Sequence, residues 1–143
     1  MPRADFTWSH RLRVRWSEVD PQRVVFNARY LDYADIAMTE YWRAIRASAL
    51  WPGDMPEFHV ARAIVQFRSP VFGDEEIDVM ARTTATGRTS VTNLVELHGT
   101  GHDDLRAEIE LVSVHVDLAS HRPAPLPAHY AAAFAAFDAG RTP

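Results

Sequence analysis

Cysteine is absent from the 143 residues. Disulfide stapling, thiol catalysis and cysteine-ligated zinc or iron–sulfur sites drop out with it, and a reducing cytoplasm becomes the expected compartment. No stretch approaches the ~18 uninterrupted apolar residues that a transmembrane helix needs, so no membrane partner is expected. The opening MPRADFTWSHRLRVRW has no apolar h-region, so no signal peptide is expected either. Fifteen Lys+Arg stand against 19 Asp+Glu, a net charge of −4, and they form no basic block. Nucleic-acid binding, which depends on neutralising many phosphates, is therefore not expected. The sequence also lacks a G-x-S-x-G elbow, a Walker A loop, a G-x-G-x-x-G run and an H-E-x-x-H pair, which leaves serine hydrolase, nucleotide-phosphate and zincin chemistry without support.

What is present is ordinary globular material: 47% hydrophobic, 24% charged and 10% aromatic residues, enough for one domain over residues 1–143 with one core. No proline lies between Pro70 and Pro123, while Gly73, Gly87, Gly99 and Gly101 punctuate that half at strand-and-turn intervals. It reads as an antiparallel meander. The first strand covers roughly 59–69, the next carries Ile77, Val79 and Ala81, and the third Val91, Val95 and Leu97. The last runs from about Leu105 to Leu118. In that last run the apolar phase moves from odd (Leu105, Ala107, Ile109, Leu111) to even (Val112, Val114, Val116, Leu118). A bulge near Leu111–Val112 or a strand buried on both faces would account for it.

The first half differs. His10–Trp16 alternates Leu12, Val14 and Trp16 with three arginines, as a strand does. From about Ala28 to Leu50 the period becomes helical, with Tyr30, Ala34, Ala37/Met38, Tyr41 and Ile45 on one face and Arg29, Asp32, Asp35, Thr39, Arg43 and Arg46 on another. Asn27 is the expected N-cap, WPGDMP the stop, and AHYAAAFAAF after Pro127 a terminal helix. Strand, loop, long helix and four strands in sequence fit an antiparallel sheet curled around one helix, an α+β domain.

Histidine, the usual base, is poorly placed. His98 and His102 are separated by Gly99 and Gly101 and read as exposed turn residues; His115 reads as packed or surface, and His10, His59, His121 and His129 are isolated. Between strand and helix lies SEVDPQRVVFNARY. Asp20 before Pro21 is a common turn starter. It is also a carboxylate seven residues ahead of a helix start, where unpaired amides and the positive end of the dipole offer an oxyanion site. That pair suits a thioester, whose carbonyl has little resonance stabilisation and whose thiolate leaves readily. Glu18 and Glu40 are rival carboxylates. Trp16, Phe26, Tyr30 and Trp42 are candidates for a pocket lining or for the core.

The run D-P-x-x-x-V-F-x-x-x-Y-L with the following T-E-Y-W-R, then FRSPVFGDEEIDV, then GRTSV, resembles the hotdog-fold acyl-CoA thioesterases of the 4-hydroxybenzoyl-CoA thioesterase type, from about Leu12 to Leu118. The resemblance implies a five-stranded antiparallel sheet wrapped around one long central helix, and hydrolysis of an acyl-CoA or acyl-carrier-protein thioester. It places Asp20 on the catalytic aspartate and Asn27 on the backbone N–H that polarises the carbonyl. Arg88, Thr89 and Ser90 fall near the coenzyme A nucleotide or pantetheine arm, often of a neighbouring subunit. It implies no cofactor, coenzyme A being part of the substrate, and a homodimer or homotetramer with the pocket between subunits. Relatives commonly have glycine where Arg23 stands, so this side chain either narrows the pocket or points outward. The alternative on the same fold is a non-catalytic acyl-CoA or lipid-binding module. A dehydratase would want a histidine in the loop and helix, and none lies between His10 and His59.

Overall fold

The computed structural model describes residues 2–48, 50, 53–54 and 56–140. In chain order the elements are β1 (Ser9–Arg13), α1 (Arg29–Ala47), β2 (Phe58–Phe67), β3 (Glu76–Thr86), β4 (Ser90–Gly99), β5 (Ala107–Asp117), the two-residue β6 (Arg122–Pro123) and α2 (Ala128–Asp138). The five longer strands form one antiparallel sheet in the order β1-β3-β4-β5-β2, with β6 added beside β5. This is the hotdog arrangement, with α1 against the inner face of the sheet.

Tyr30, Tyr33, Ala34, Ala37, Met38, Tyr41 and Ile45 recur at helical spacing and are buried, while Arg29, Asp32, Asp35, Thr39, Arg43 and Arg46 are exposed. The stripe meets Ile77, Val79 and Ala81 of β3, Val91, Val95 and Leu97 of β4 and Ala107, Ile109 and Leu111 of β5 in one apolar core. Burying each such aliphatic side chain contributes about 1.5–3 kcal/mol. α2 closes the core at one end, where the Tyr41 hydroxyl donates to Asp138 Oδ1 at 2.8 Å and the Thr83 amide donates to Oδ2 at 2.8 Å.

Several local expectations need correction. The N-cap of α1 is Ala28, without a side-chain cap, and Asn27 sits in the turn before it. The helix ends at Ala47; Trp51, Pro52 and Met55 of the expected stop lie outside the described residues. β1 ends at Arg13, and Trp16 opens a short 3-10 turn, Trp16–Glu18, with its ring 71% exposed. That ring lies against Gly73, where a Cβ would come within 2.6 Å of it. The phase shift in β5 reflects no bulge in that strand: Ala107, Ile109, Leu111 and Ser113 face inward in unbroken register with β4, and Val112 and Val114 are half-buried on the outer face. The bulge sits on the neighbouring β2, between Val60 and Arg62.

The outer face holds a second surprise. His98 is a strand residue, fully buried, with Nε2 3.1 Å from Glu96 Oε1 and Nδ1 3.8 Å from Asp103 Oδ1. The glycines that follow it suggest an exposed turn residue, but pairing with β3 continues through Gly99 and keeps His98 within the strand. The N-terminal segment reaches this region. Arg3 donates to the His102 carbonyl at 2.9 Å and pairs with Asp78, and Arg11 Nε reaches Asp78 Oδ1 at 2.9 Å.

Burial alone would raise the Asp78 carboxyl, but hydrogen bonds from Arg11, Arg3 and the Gly101 amide outweigh it and hold the group down at about 2. A depressed carboxylate stabilises the fold above its ordinary range and loses that contribution as pH falls through its folded value. Asp78→Asn should therefore cost about 2 kcal/mol at neutral pH and nothing once pH drops to the bottom of that window. Denaturant unfolding at a series of pH values checks this; an equal loss at every pH would show that charge plays no part.

Candidate active site

The loop between β1 and α1 folds as a small hairpin. Val19 bridges Val25, the Asp20 amide donates to Val24 O at 2.9 Å, and the Phe26 amide donates to Glu18 O at 2.9 Å. Its second arm is tied to the segment before β3 by Val25 N–H to Val71 O at 2.8 Å and by the Val24–Phe72 bridge. The tip, Asp20–Arg23, is a turn closed by Arg23 N–H to Asp20 O at 2.9 Å. Within it the Gln22 amide donates to Asp20 Oδ1 at 2.8 Å, the side-chain-to-backbone bond that Asp-Pro turns favour. Oδ2 has no donor among the described residues. The turn thus fixes the carboxylate by one oxygen and leaves the other available.

Arg23 adopts φ +67°, a left-handed conformation in which a Cβ is unfavourable and glycine is not. Glycine at this position, as the family resemblance leads one to expect, would sit there without that strain. The Arg23 side chain is exposed and does not line the cavity described next, so it points outward.

A cavity of about 560 Å³ opens beside the turn, lined by Asp20, Pro21, Gln22, Val24, Val25, Phe26, Asn27, Tyr30 and Phe67. Asp20 and Asn27, drawn from the two ends of the loop, share it. The turn into α1 is held by Arg29 N–H to Phe26 O at 2.9 Å, and among the described residues no acceptor engages the amides of Asn27 and Ala28. These are the unsatisfied donors expected at a helix start. Tyr30 is held protonated first by its own burial, with the charge of Asp20 among the groups acting in the same direction.

The other candidates resolve differently. Glu18 Oε1 accepts from the Arg15 amide at 2.7 Å and from the Tyr33 hydroxyl at 3.1 Å, so it braces the loop against α1. Glu40 pairs with Arg43 on the helix surface. Arg88, Thr89 and Ser90 do form the β3–β4 turn, with Gly87 N–H to Ser90 O at 2.8 Å, but that turn is at the far end of the sheet. The 11 residues of β3 place it about 30 Å from the Asp20 end. One copy of the chain therefore does not bring Arg88 to Asp20. His59 and His121, taken as isolated, are neighbours with ring centroids 5.3 Å apart. His115 is packed, between Phe58 and Tyr130. Among the described residues, no group of three or more His, Cys, Asp or Glu is placed to hold a metal ion, and no helix is long and apolar enough to cross a membrane.

A second cavity, about 350 Å³, was not anticipated as a unit. It runs between α1 (Leu31, Asp35, Met38, Thr39, Trp42) and β2 (Phe58, Val60, Ala63), over Leu111 and Ser113 of β5. Trp42 does line a cavity, and Phe26 and Tyr30 line the first one, whereas Trp16 lines neither. The signal for this groove was present in β2, where Val60 and Phe67 are large apolar residues left exposed at a sheet edge.

Residues 14–134 match the family model described as the thioesterase-like superfamily. The chain belongs to that superfamily. Similar folds include a thioesterase from Thermus thermophilus, solved with coenzyme A and zinc, at 29% identity and TM-score 0.80 over 97% of this chain and 98% of that one. The PA5185 protein of Pseudomonas aeruginosa is 24% identical with TM-score 0.81, over 99% and 96%. A 1,4-dihydroxy-2-naphthoyl-CoA thioesterase from Synechocystis is 18% identical with TM-score 0.76, over 92% and 97%. Among curated proteins none matches. Membership of the thioesterase-like superfamily supports thioester hydrolysis as the class of activity.

If the conformation at Arg23 is strained, Arg23→Gly should raise the stability of this thioesterase-like domain by about 1 kcal/mol. Urea unfolding reads the change directly, and a lowered midpoint would mean that the arginine makes a contact worth more than the strain.

Proposed function

We propose that the chain hydrolyses the thioester of an acyl-coenzyme A, or of an acyl carrier protein, to a free acid and a thiol. The observation that supports this most is the meeting of an anchored carboxylate with an uncommitted helix-start amide in one cavity. Asp20, through its free oxygen, attacks the thioester carbon or takes a proton from the water that does. The carbonyl oxygen gains negative charge beside the Asn27 N–H, a backbone donor at the cavity wall that gives up no protein partner to receive it. The C–S bond then breaks and the thiolate leaves, taking up a proton from solvent. Where Asp20 has attacked directly, water hydrolyses the mixed anhydride it now carries; where it has acted as base, it returns its proton to solvent. Either way the free acid departs and the carboxylate is restored. A thiolate is a good leaving group, so no strong acid at the sulfur is required.

The site is completed by a second copy. β2 is an edge strand paired on one side by β5, so half of its backbone donors and acceptors are free for another chain. The 30 Å scale of the sheet is what a two-copy site needs if Arg88, Thr89 and Ser90 are to hold the nucleotide or pantetheine arm of a substrate cleaved at the other copy's Asp20.

A panel of acyl-CoAs assayed with a thiol-reactive dye tests the chemistry. Asn at position 20 keeps an oxygen for the Gln22 amide, so the turn survives while the charge is lost. Asp20→Asn should slow release by about 100-fold or more; equal turnover would remove Asp20 from the mechanism. The bond from Gln22 also favours a second reading, in which Asp20 serves the turn alone and the domain binds acyl-CoA without cleaving it. Tight binding with no thiol release by either protein would establish that reading. For the shared site, Asp20→Asn and Arg88→Ala proteins, each impaired alone, should regain activity when unfolded and refolded together. No recovery would confine the site to one chain.

A further inference from the structure

The groove between α1 and β2 has a built end. Trp42 of α1 lies over Phe58 of β2 with ring centroids 5.5 Å apart and planes within 24°. Phe134 of α2 stands 5.0 Å from Trp42, and His115 of β5 stands 5.7 Å from Phe58. Four elements contribute rings to one plug. The Tyr41–Asp138 bond pins α2 against α1 beside it, so the plug is braced from behind.

The other end faces the Asp20 cavity along the same helix and strand: Leu31 of the groove follows Tyr30 of that cavity on α1, and Ala63 and Phe67 lie four residues apart on β2. Positions 27, 31, 35, 38 and 42 recur every three or four residues, so one stripe begins at the Asn27 turn and finishes at Trp42. At 1.5 Å per residue this stripe spans about 20 Å. The facing wall is β2, where Phe67 lines the Asp20 cavity and Ala63, Val60 and Phe58 line the groove in turn. Buried Met38 and Leu111 form an apolar floor together with Ser113, while Asp35 and Thr39 stand on the exposed lip.

We infer that Trp42 and Phe58 set the upper length of the acyl group, which enters past Phe67 and lies along the groove until it meets their rings. The inference rests on the reading that the thioester carbon sits between Asp20 and Asn27. The chemistry of the walls also sets the class of acyl group. Among the described residues no basic side chain lines the groove and a carboxylate stands at its lip, so an uncharged, chiefly aliphatic chain fits and one ending in a second carboxylate is rejected. The 20 Å run accommodates an extended chain, and its closed end makes discrimination steep for each carbon beyond the stop.

The test compares kcat/KM for arachidoyl-CoA, whose 20-carbon chain outruns the groove, and octanoyl-CoA, which stops short of the plug, in three variants. Trp42→Ala removes the plug and should raise the arachidoyl-to-octanoyl ratio about tenfold. Ala63→Trp adds bulk at an exposed position midway along the groove, where folding is little affected, and should lower the same ratio about tenfold. Asp20→Asn should slow both activities about 100-fold or more without moving their ratio. Should Asp20→Asn be slowed in this way while both groove variants keep the wild-type ratio, the length stop is wrong and the catalytic reading stands. Should Asp20→Asn turn over like wild type, the catalytic reading fails, and the stop fails with it as a device of this reaction. A failure of Trp42→Ala to fold leaves Ala63→Trp to decide, and an unchanged ratio in that variant overturns the inference.

Discussion

The aromatic stripe of a 19-residue helix has to be taken out of water, and a sheet of five strands is the means available to a chain of this length. β3, β4 and β5 present rows of Ile, Val, Leu and Ala to that stripe, interrupted by the buried Asn93 and Ser113, and keep it out of water. β2, at the edge, meets the helix through Phe58 on Trp42 and Phe67 on Tyr30, and leaves a gap between them at Val60 and Ala63. The core and the cavities are consequences of one geometrical mismatch: the helix is covered fully on one flank and only in part on the other. Both cavities fall along the partly covered side.

Within that frame the loop before α1 does two jobs with few atoms. Backbone bonds to Val71 and the Val24–Phe72 bridge fix the hairpin to the body of the domain, and Glu18 ties it to Tyr33 of the helix. Its tip then presents a carboxylate held by one oxygen, and its far end presents amides that the helix cannot satisfy. Burial first, and the Glu18 carboxylate second, keep the Tyr33 phenol protonated, so this brace carries a hydrogen to donate. For the proposed reaction, a rigid support with Asp20 Oδ2 and the Asn27 amide left unengaged is the division that electrostatic preorganisation requires. The surrounding charges are engaged elsewhere: Arg29 with Asp32, and Arg106 with Glu75 and Asp104.

The parts legible in the sequence were those governed by period. Helical spacing from Tyr30 to Ile45 and alternation in 77–81 and 91–97 identify the buried faces residue by residue, because side-chain direction repeats with the backbone. Asp20 and Asn27 were legible as neighbours because a short loop brings its two ends together. What the sequence concealed was set by pairing. The bulge in β2 and the half-buried outer face of β5 both depend on neighbouring strands, since a strand's register and cover are set by what pairs and packs beside it. His98 looked like a turn residue since the end of β4 is decided by its bonds to β3. The distance from Arg88 to Asp20 follows from strand order, which local composition does not encode.

Gly73 lies outside both cavities and carries no functional group. Yet a methyl there would stand 2.6 Å from Cζ3 of Trp16 and 3.1 Å from Cγ2 of Val19, the residue next to Asp20. The arm next to Asp20 is thus seated against a hydrogen atom on a separate loop, which acts as a shim. A thicker piece would have to push the exposed Trp16 ring aside and crowd Val19 by a few tenths of an ångström, so a position silent in every chemical inventory still bears on how the arm sits.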